Sequence, residues 1–187
     1  MNLPNQLTVS RLFLTALFVV CFSVEFPFRF SLAFALFVVA AVTDYLDGEI
    51  ARRWNLSTDF GKLMDPLTDK ILTASAFICL AGFGALPVWA VIVIISREFL
   101  ITGLRTLASS KGILLPAEKL GKHKTAWQMI TIIYFLLLLA IPEWGRIPGL
   151  REAWLFGSYG LVTITVVLTV YSGLAYLAKN RALIREN

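Results

Sequence analysis

Long apolar runs alternate with short polar breaks along the whole chain. Six apolar segments occupy roughly 9–28, 31–53, 62–84, 87–109, 124–142 and 153–178. Each is close to the roughly 20 apolar residues that an α-helix needs to cross a hydrocarbon core. The breaks carry turn chemistry or charge: Pro27 and Arg29, then Arg52-Arg53-Trp54-Asn55, then Gly82-Phe83-Gly84 with Pro87. A basic stretch runs from Lys111 to Lys124, and the last break, Pro142 to Arg151, contains Gly145, Pro148 and Gly149. No repeat, low-complexity tract or Ser/Gly linker divides the chain. The pattern predicts an all-α polytopic membrane protein, one membrane domain over 1–187 with six transmembrane helices. Met1 to Thr8, with Pro4, is too short to span and is predicted as an N-terminal interfacial segment. The first apolar run is longer than a signal h-region and no clear small-x-small cleavage site follows it, so it is predicted as a span.

Composition agrees with the pattern. Of the 187 residues 58% are hydrophobic and 16% charged, whereas soluble domains carry about 45–50% and about 25%. That balance excludes a disordered chain, a fibre and a disulfide-stapled secreted scaffold. Cys21 and Cys79 sit in apolar runs without ligand spacing and read as small buried hydrophobes. His123 is the only histidine, which excludes His-based triads and multi-histidine metal sites; the residue itself reads as a loop or headgroup-region residue. Any metal must therefore bind oxygen.

The net charge of +5, from 17 Lys/Arg against 12 Asp/Glu, reads as attraction to anionic lipid and loop bias rather than nucleic-acid binding. Twelve Lys/Arg fall in the N-terminus, the 2–3 and 4–5 loops and the C-terminal tail, and three (Arg29, Arg146, Arg151) in the opposite loops. Both termini are thus expected in the cytoplasm. Trp54, Trp89, Trp127, Trp144 and Trp154 fall near predicted span ends, as in an aromatic belt.

All five aspartates lie between Asp44 and Asp69, and four of them are inside predicted spans. An intramembrane carboxylate costs on the order of 2.5–3.5 kcal/mol on insertion scales and marks function by default. Asp44 and Asp47 (i, i+3) share one face of the second helix, and Asp65 and Asp69 (i, i+4) share one face of the third. At 1.5 Å per residue, Asp47 lies about 9 Å and Asp44 about 14 Å from the end near Arg53, while Asp65 and Asp69 lie about 5 and 11 Å in from Lys62. The short loop makes the helices antiparallel neighbours, so the pairs face each other at similar depth. Four carboxylates without a cation would repel one another. Together they make an oxygen-only cage suited to Mg²⁺ or Mn²⁺.

Gly48, Ala51 and Arg52 continue the same side of the second helix. Two small residues leave a recess beside the backbone, and the arginine can grip phosphate in a bidentate fork. Singly, the small residues would read as helix packing and the arginine as a topological anchor. Arg97 and Glu98 stand mid-span in the fourth helix, with Arg105 eight residues on, and Lys122 and Lys124 precede the fifth. Arg97 is explained either by pairing with Glu98 or the aspartates, or by an anionic group of a ligand. Read together, Arg97, Arg105, Lys122 and Lys124 make a basic pocket suited to a phosphorylated alcohol.

The run Asp44-x2-Asp47-Gly48-x2-Ala51-Arg52-x8-Gly61-x3-Asp65-x3-Asp69 resembles the complete signature of the CDP-alcohol phosphatidyltransferases, with all eight fixed positions and every spacer in place. Asn5-x2-Thr8-x2-Arg11 resembles that family's N-terminal element near the nucleotide. The resemblance implies six spans with cytoplasmic termini. It implies two divalent cations on Asp44, Asp47, Asp65 and Asp69, with Asp69 also the general base. It further implies CDP-lipid contacts from Gly48, Ala51 and Arg52, a phosphate-binding hydroxyl at Thr58, and Asn5 and Thr8 near the nucleotide. In such chemistry an alcohol attacks the phosphate attached to diacylglycerol and CMP departs.

Ser96-Arg97-Glu98, Gly103-Leu104-Arg105 and Gly121-Lys122-x-Lys124-Thr125-x2-Gln128 resemble the phosphatidylglycerophosphate-forming bacterial branch of the family. That implies CDP-diacylglycerol and sn-glycerol-3-phosphate as substrates, a homodimer, and an active site facing the cytoplasm from a bacterial inner membrane. Inositol phosphate, or phosphatidylglycerol in cardiolipin synthesis, are the competing acceptors. A small cation transporter is the other class the acids allow. Against it stand the lack of repeats, the position of the acids toward one face, and the arginine beside them.

Overall fold

The chain folds, in a computed structural model, into six α-helices: α1 (Leu3–Ser23), α2 (Arg29–Trp54), α3 (Asp59–Gly82), α4 (Val88–Ser110), α5 (Lys119–Ala140) and α6 (Leu150–Lys179). The structure describes residues 3–54, 59–113, 115, 119–141 and 150–181, and the side chains of 9–43, 67–113, 115, 120–141 and 154–181. Among the described residues there is no strand.

Each apolar run became one helix, with two shifted boundaries. α1 starts at Leu3, so the stretch expected as a separate interfacial segment continues into the first helix. Pro4 falls in the first turn, where a missing N–H costs nothing. α5 starts at Lys119, so the basic residues before the fifth apolar run are helical, and lysine is a good helix former. Among the described residues, two helices are long and apolar enough to cross a membrane, Leu120–Ala140 and Trp154–Lys179. Charged residues interrupt α2, α3 and α4.

Two helices end on glycines that the backbone requires. Gly84 (φ +82°) follows α3 and Gly112 (φ +74°) follows α4. The amides of Ala85 and Ile113 reach back to the carbonyls of Leu80 and Ala108, both at 2.9 Å. This is the Schellman closure, which needs a left-handed residue that glycine supplies without strain.

The chain divides into two compact units. The first comprises Met1–Ala85 and Ile132–Pro148. Within it α1 packs along α2 and α3, while α2 and α3 touch each other sparsely among the described residues. The buried positions follow helical spacing: Arg11, Thr15, Phe18 and Cys21 on α1, Ala33, Phe37 and Ala40 on α2, and Thr68, Leu72, Ala76 and Leu80 on α3. An aromatic cluster closes one end of this unit. Phe22 meets Phe30 at 5.5 Å between ring centroids, and Phe30 meets Phe83 edge-on at 4.8 Å. Arg29 caps the cluster, 4.7 Å above the Phe30 ring, a cation–π contact.

The second unit comprises Leu86–Thr131 and Gly149–Asn187. α4 packs on α6, with Ile101, Leu104 and Tyr176 forming a buried cluster. A polar seam runs through it. Lys124, Gln128 and Thr131 of α5 are buried, as are Thr165, Thr169 and Ser172 of α6. The hydroxyls of Thr131 and Thr165 meet at 2.8 Å. The outer face of α6 is the reverse: Val167, Val170, Tyr171 and Leu174 are exposed. Polar groups inside and apolar ones outside is the arrangement a helix adopts when its solvent is lipid.

Candidate active site

The acids lie on continuous helix. Asp44, Asp47, Gly48, Ala51 and Arg52 fall within α2, and Asp65 and Asp69 within α3. The i, i+3 and i, i+4 relations read from spacing therefore hold in the backbone, and each aspartate pair occupies one helix face. The side chains of Asp44, Asp47, Gly48, Ala51, Arg52 and Asp65 lie outside the described ones, as do those of Asn5 and Thr8 on α1. Thr58 lies outside the described residues. Asp69 is half-buried beside the fully buried Thr68. Its carbonyl accepts a hydrogen bond from the Thr73 hydroxyl at 3.1 Å. The donor set fits a hard divalent cation: two helices supply carboxylates in same-face pairs, and oxygen is the only donor type in the set.

Arg11 is a residue that sequence reasoning undervalued. Counted among the basic residues of the cytoplasmic side and matched to the N-terminal element Asn5-x2-Thr8-x2-Arg11, it is completely buried in the first unit. A guanidinium taken out of water requires acceptors around it. The signal was present, since Arg11, Thr15 and Phe18 fall at i, i+4 and i+7, the spacing of one helix face.

The second unit brings together half of the expected acceptor pocket. Lys124 of α5 donates to Oε1 of Glu98 on α4, and Arg97 Nη1 reaches the same oxygen at 3.3 Å. Arg97 Nη2 donates to the Ser172 hydroxyl on α6 at 3.2 Å. Arg97 thus uses two of its donors on these partners, of the five a guanidinium carries. Its Nε is buried and makes no hydrogen bond among the described residues. The pairing of Arg97 with Glu98, one of the two explanations the sequence allows, is therefore realised, and it leaves donors for a ligand. Arg105 and Lys122 are exposed and join no ion pair among the described residues. His123, expected in a loop, is helical and exposed beside Lys122 on α5. Glu98 itself was not foreseen as the shared acceptor, because Lys124 lies 26 positions away.

The CDP-alcohol phosphatidyltransferase family matches residues 1–175, and the chain belongs to that family. It is similar to a CDP-diacylglycerol–glycerol-3-phosphate 3-phosphatidyltransferase of Bacillus subtilis (strain 168), 39% identical over 96% of this chain and 95% of the relative. The protein of the same name from Rickettsia bellii (strain RML369-C) is 37% identical over 73% of this chain and 75% of its own length. A probable phosphatidylglycerophosphate synthase of Mycobacterium tuberculosis (strain ATCC 25618 / H37Rv) is 34% identical over 95% of this chain and 81% of its own.

Proposed function

We propose that this protein transfers the phosphatidyl group of CDP-diacylglycerol to sn-glycerol-3-phosphate, giving phosphatidylglycerol phosphate and CMP. The observation that carries the acceptor is Arg97: half-buried in the second unit, tied by Glu98 and Ser172, with a buried Nε that has no hydrogen-bond partner among the described residues. A planar guanidinium with donors to spare suits a phosphate dianion. The names of the relatives support the same acceptor.

Asp44, Asp47, Asp65 and Asp69 would hold two divalent cations, Mg²⁺ or Mn²⁺, which would supply positive charge to the pyrophosphate and to the departing CMP. The chain's own residues do the rest. Gly48 and Ala51 leave room for the cytidine diphosphate against α2, and Arg52, with Thr58, takes its phosphates; Asn5 and Thr8 complete the nucleotide end. Asp69 accepts the proton of the attacking hydroxyl. Arg97 and Lys124, with Arg105 and Lys122, hold the acceptor's phosphate. No covalent enzyme intermediate is required.

Six spans place both termini and this chemistry on the cytoplasmic side of a bacterial inner membrane, in one catalytic domain that works as a homodimer. The apolar outer faces of the helices and the bias of twelve basic residues against three support that topology. The test is an acceptor panel: purified protein in liposomes with CDP-diacylglycerol and Mg²⁺ or Mn²⁺, offered sn-glycerol-3-phosphate, inositol phosphate or phosphatidylglycerol. CMP release with glycerol-3-phosphate is the expected result. Release only with another alcohol overturns the acceptor, and release with none overturns the enzyme.

A further inference from the structure

Gly173 stands out among the described glycines. A Cβ built on Gly82, Gly84, Gly103, Gly112, Gly121 or Gly160 would meet nothing within 4 Å. At Gly173 it would lie 3.0 Å from Arg97 Cγ, 3.6 Å from Nε and 3.9 Å from Cδ, so its three nearest neighbours all belong to one side chain. Glycine in the middle of a helix is otherwise a weak choice, since alanine is the better helix former. Small residues in spanning helices commonly admit a neighbouring backbone. Here the space admits the stem of an arginine.

We infer that Gly173 is a positioning residue for Arg97: α6 receives the arginine stem at Gly173 and its terminal nitrogen at Ser172, and so sets the direction in which the guanidinium presents its remaining donors. Two adjacent residues of α6 thereby act on one side chain of α4. Cγ is only one bond from Cβ, so the arginine cannot yield by bending its far end. A methyl at 173 forces rotation about χ1, and a shift of a few tenths of an ångström at Cγ grows to about 1 Å at the guanidinium. Misplacement of about that size in a binding or reacting group lowers rates on the order of a hundredfold. This inference rests on Arg97 being a ligand of the acceptor's phosphate.

The test is a kinetic double-mutant cycle in liposomes with Gly173→Ala, Arg97→Ala and the pair. Gly173→Ala is expected to raise the apparent KM for glycerol-3-phosphate about tenfold or more, with the KM for CDP-diacylglycerol within about twofold of the parent. In the Arg97→Ala background, where no Cγ remains, Gly173→Ala should have no further effect on that KM. Ser172→Ala, which removes the hydrogen bond and leaves the space, should give a smaller rise of the same kind. Since alanine favours the helix, the thermal midpoint should fall less than in Arg97→Ala, and this separates positioning from damage to the fold. If Arg97→Ala raises the acceptor KM and Gly173→Ala either leaves it unchanged or acts equally in both backgrounds, the positioning role is wrong. If Arg97→Ala leaves the acceptor KM untouched, the assignment of Arg97 to the acceptor fails instead, and the inference falls with it.

Discussion

Lys124 of α5 and Glu98 of α4 form an ion pair in which the lysine side chain retains 4% of its exposure and the glutamate 22%. Arg97 shares the same carboxylate. The two single substitutions should therefore not be equivalent. Glu98→Gln leaves two neighbouring cations without their common anion, and removal of one partner of a buried pair costs about 3 kcal/mol or more. Lys124→Met leaves Glu98 still paired with Arg97 and should cost less. Thermal unfolding in detergent should rank parent, Lys124→Met and Glu98→Gln in falling order, and the double variant should regain part of the loss. A midpoint for Lys124→Met below that of Glu98→Gln would contradict the shared-carboxylate arrangement.

Exposure separates the four basic residues proposed to hold the acceptor's phosphate. Lys124 is buried and Arg97 half-buried in the second unit, both held by Glu98, while Arg105 and Lys122 stand exposed. Arg105→Ala and Lys122→Ala should raise the apparent KM for glycerol-3-phosphate while leaving the thermal midpoint unchanged. A charge-assisted hydrogen bond worth about 1.5–3 kcal/mol corresponds to a rise of about tenfold to a hundredfold. Arg97→Ala and Lys124→Ala should lower the midpoint as well. Equal effects of Arg105→Ala on the KM values of both substrates would remove Arg105 from the acceptor pocket.

What the sequence made legible follows from how local each feature is. The six helices were legible because every apolar run is long and bounded by glycine, proline or charge, and the same-face pairing of the aspartates followed from spacing alone. The helical state of the segment before the first apolar run was not legible from hydropathy; α1 extends back to Leu3 because a first-turn proline does not break a helix. The basic stretch was read as a loop, although lysines extend α5 back to Lys119. Spacing cannot join Glu98 to Lys124, or Gly173 to Arg97, because these contacts depend on how separate helices pack. One non-local feature did leave a trace. Thr165, Thr169, Ser172 and Tyr176 recur at intervals of four, three and four in an otherwise apolar helix, the mark of a buried stripe, and all four are buried.

Asp69 lies half-buried on α3, one residue after the fully buried Thr68, and is assigned both a cation and the proton of the attacking alcohol. Asp69→Asn keeps the shape and one ligand oxygen but removes the base. Loss of a general base costs about a hundredfold to ten-thousandfold in rate. CMP release under saturating substrates should fall by at least that much, while CDP-diacylglycerol still binds in an equilibrium assay. Sustained multiple turnover by Asp69→Asn would take the role of base away from it.

The four aspartates bring a testable link between metal and stability. Same-face carboxylates on α2 and on α3 carry like charge, which is unfavourable when no cation is bound. A cation that binds the folded protein alone stabilises it by mass action, by about 2.7 kcal/mol at a hundred times its dissociation constant. Chelation should therefore lower the thermal midpoint in detergent as well as abolish CMP release, and added Mg²⁺ or Mn²⁺ should restore both. Asp44→Asn and Asp65→Asn take one carboxylate from each helix and relieve part of the repulsion. Both variants should be no less stable than the parent in chelator, yet gain little from added metal. An unchanged metal-induced shift in either variant would mean that its helix does not contribute to the cation site.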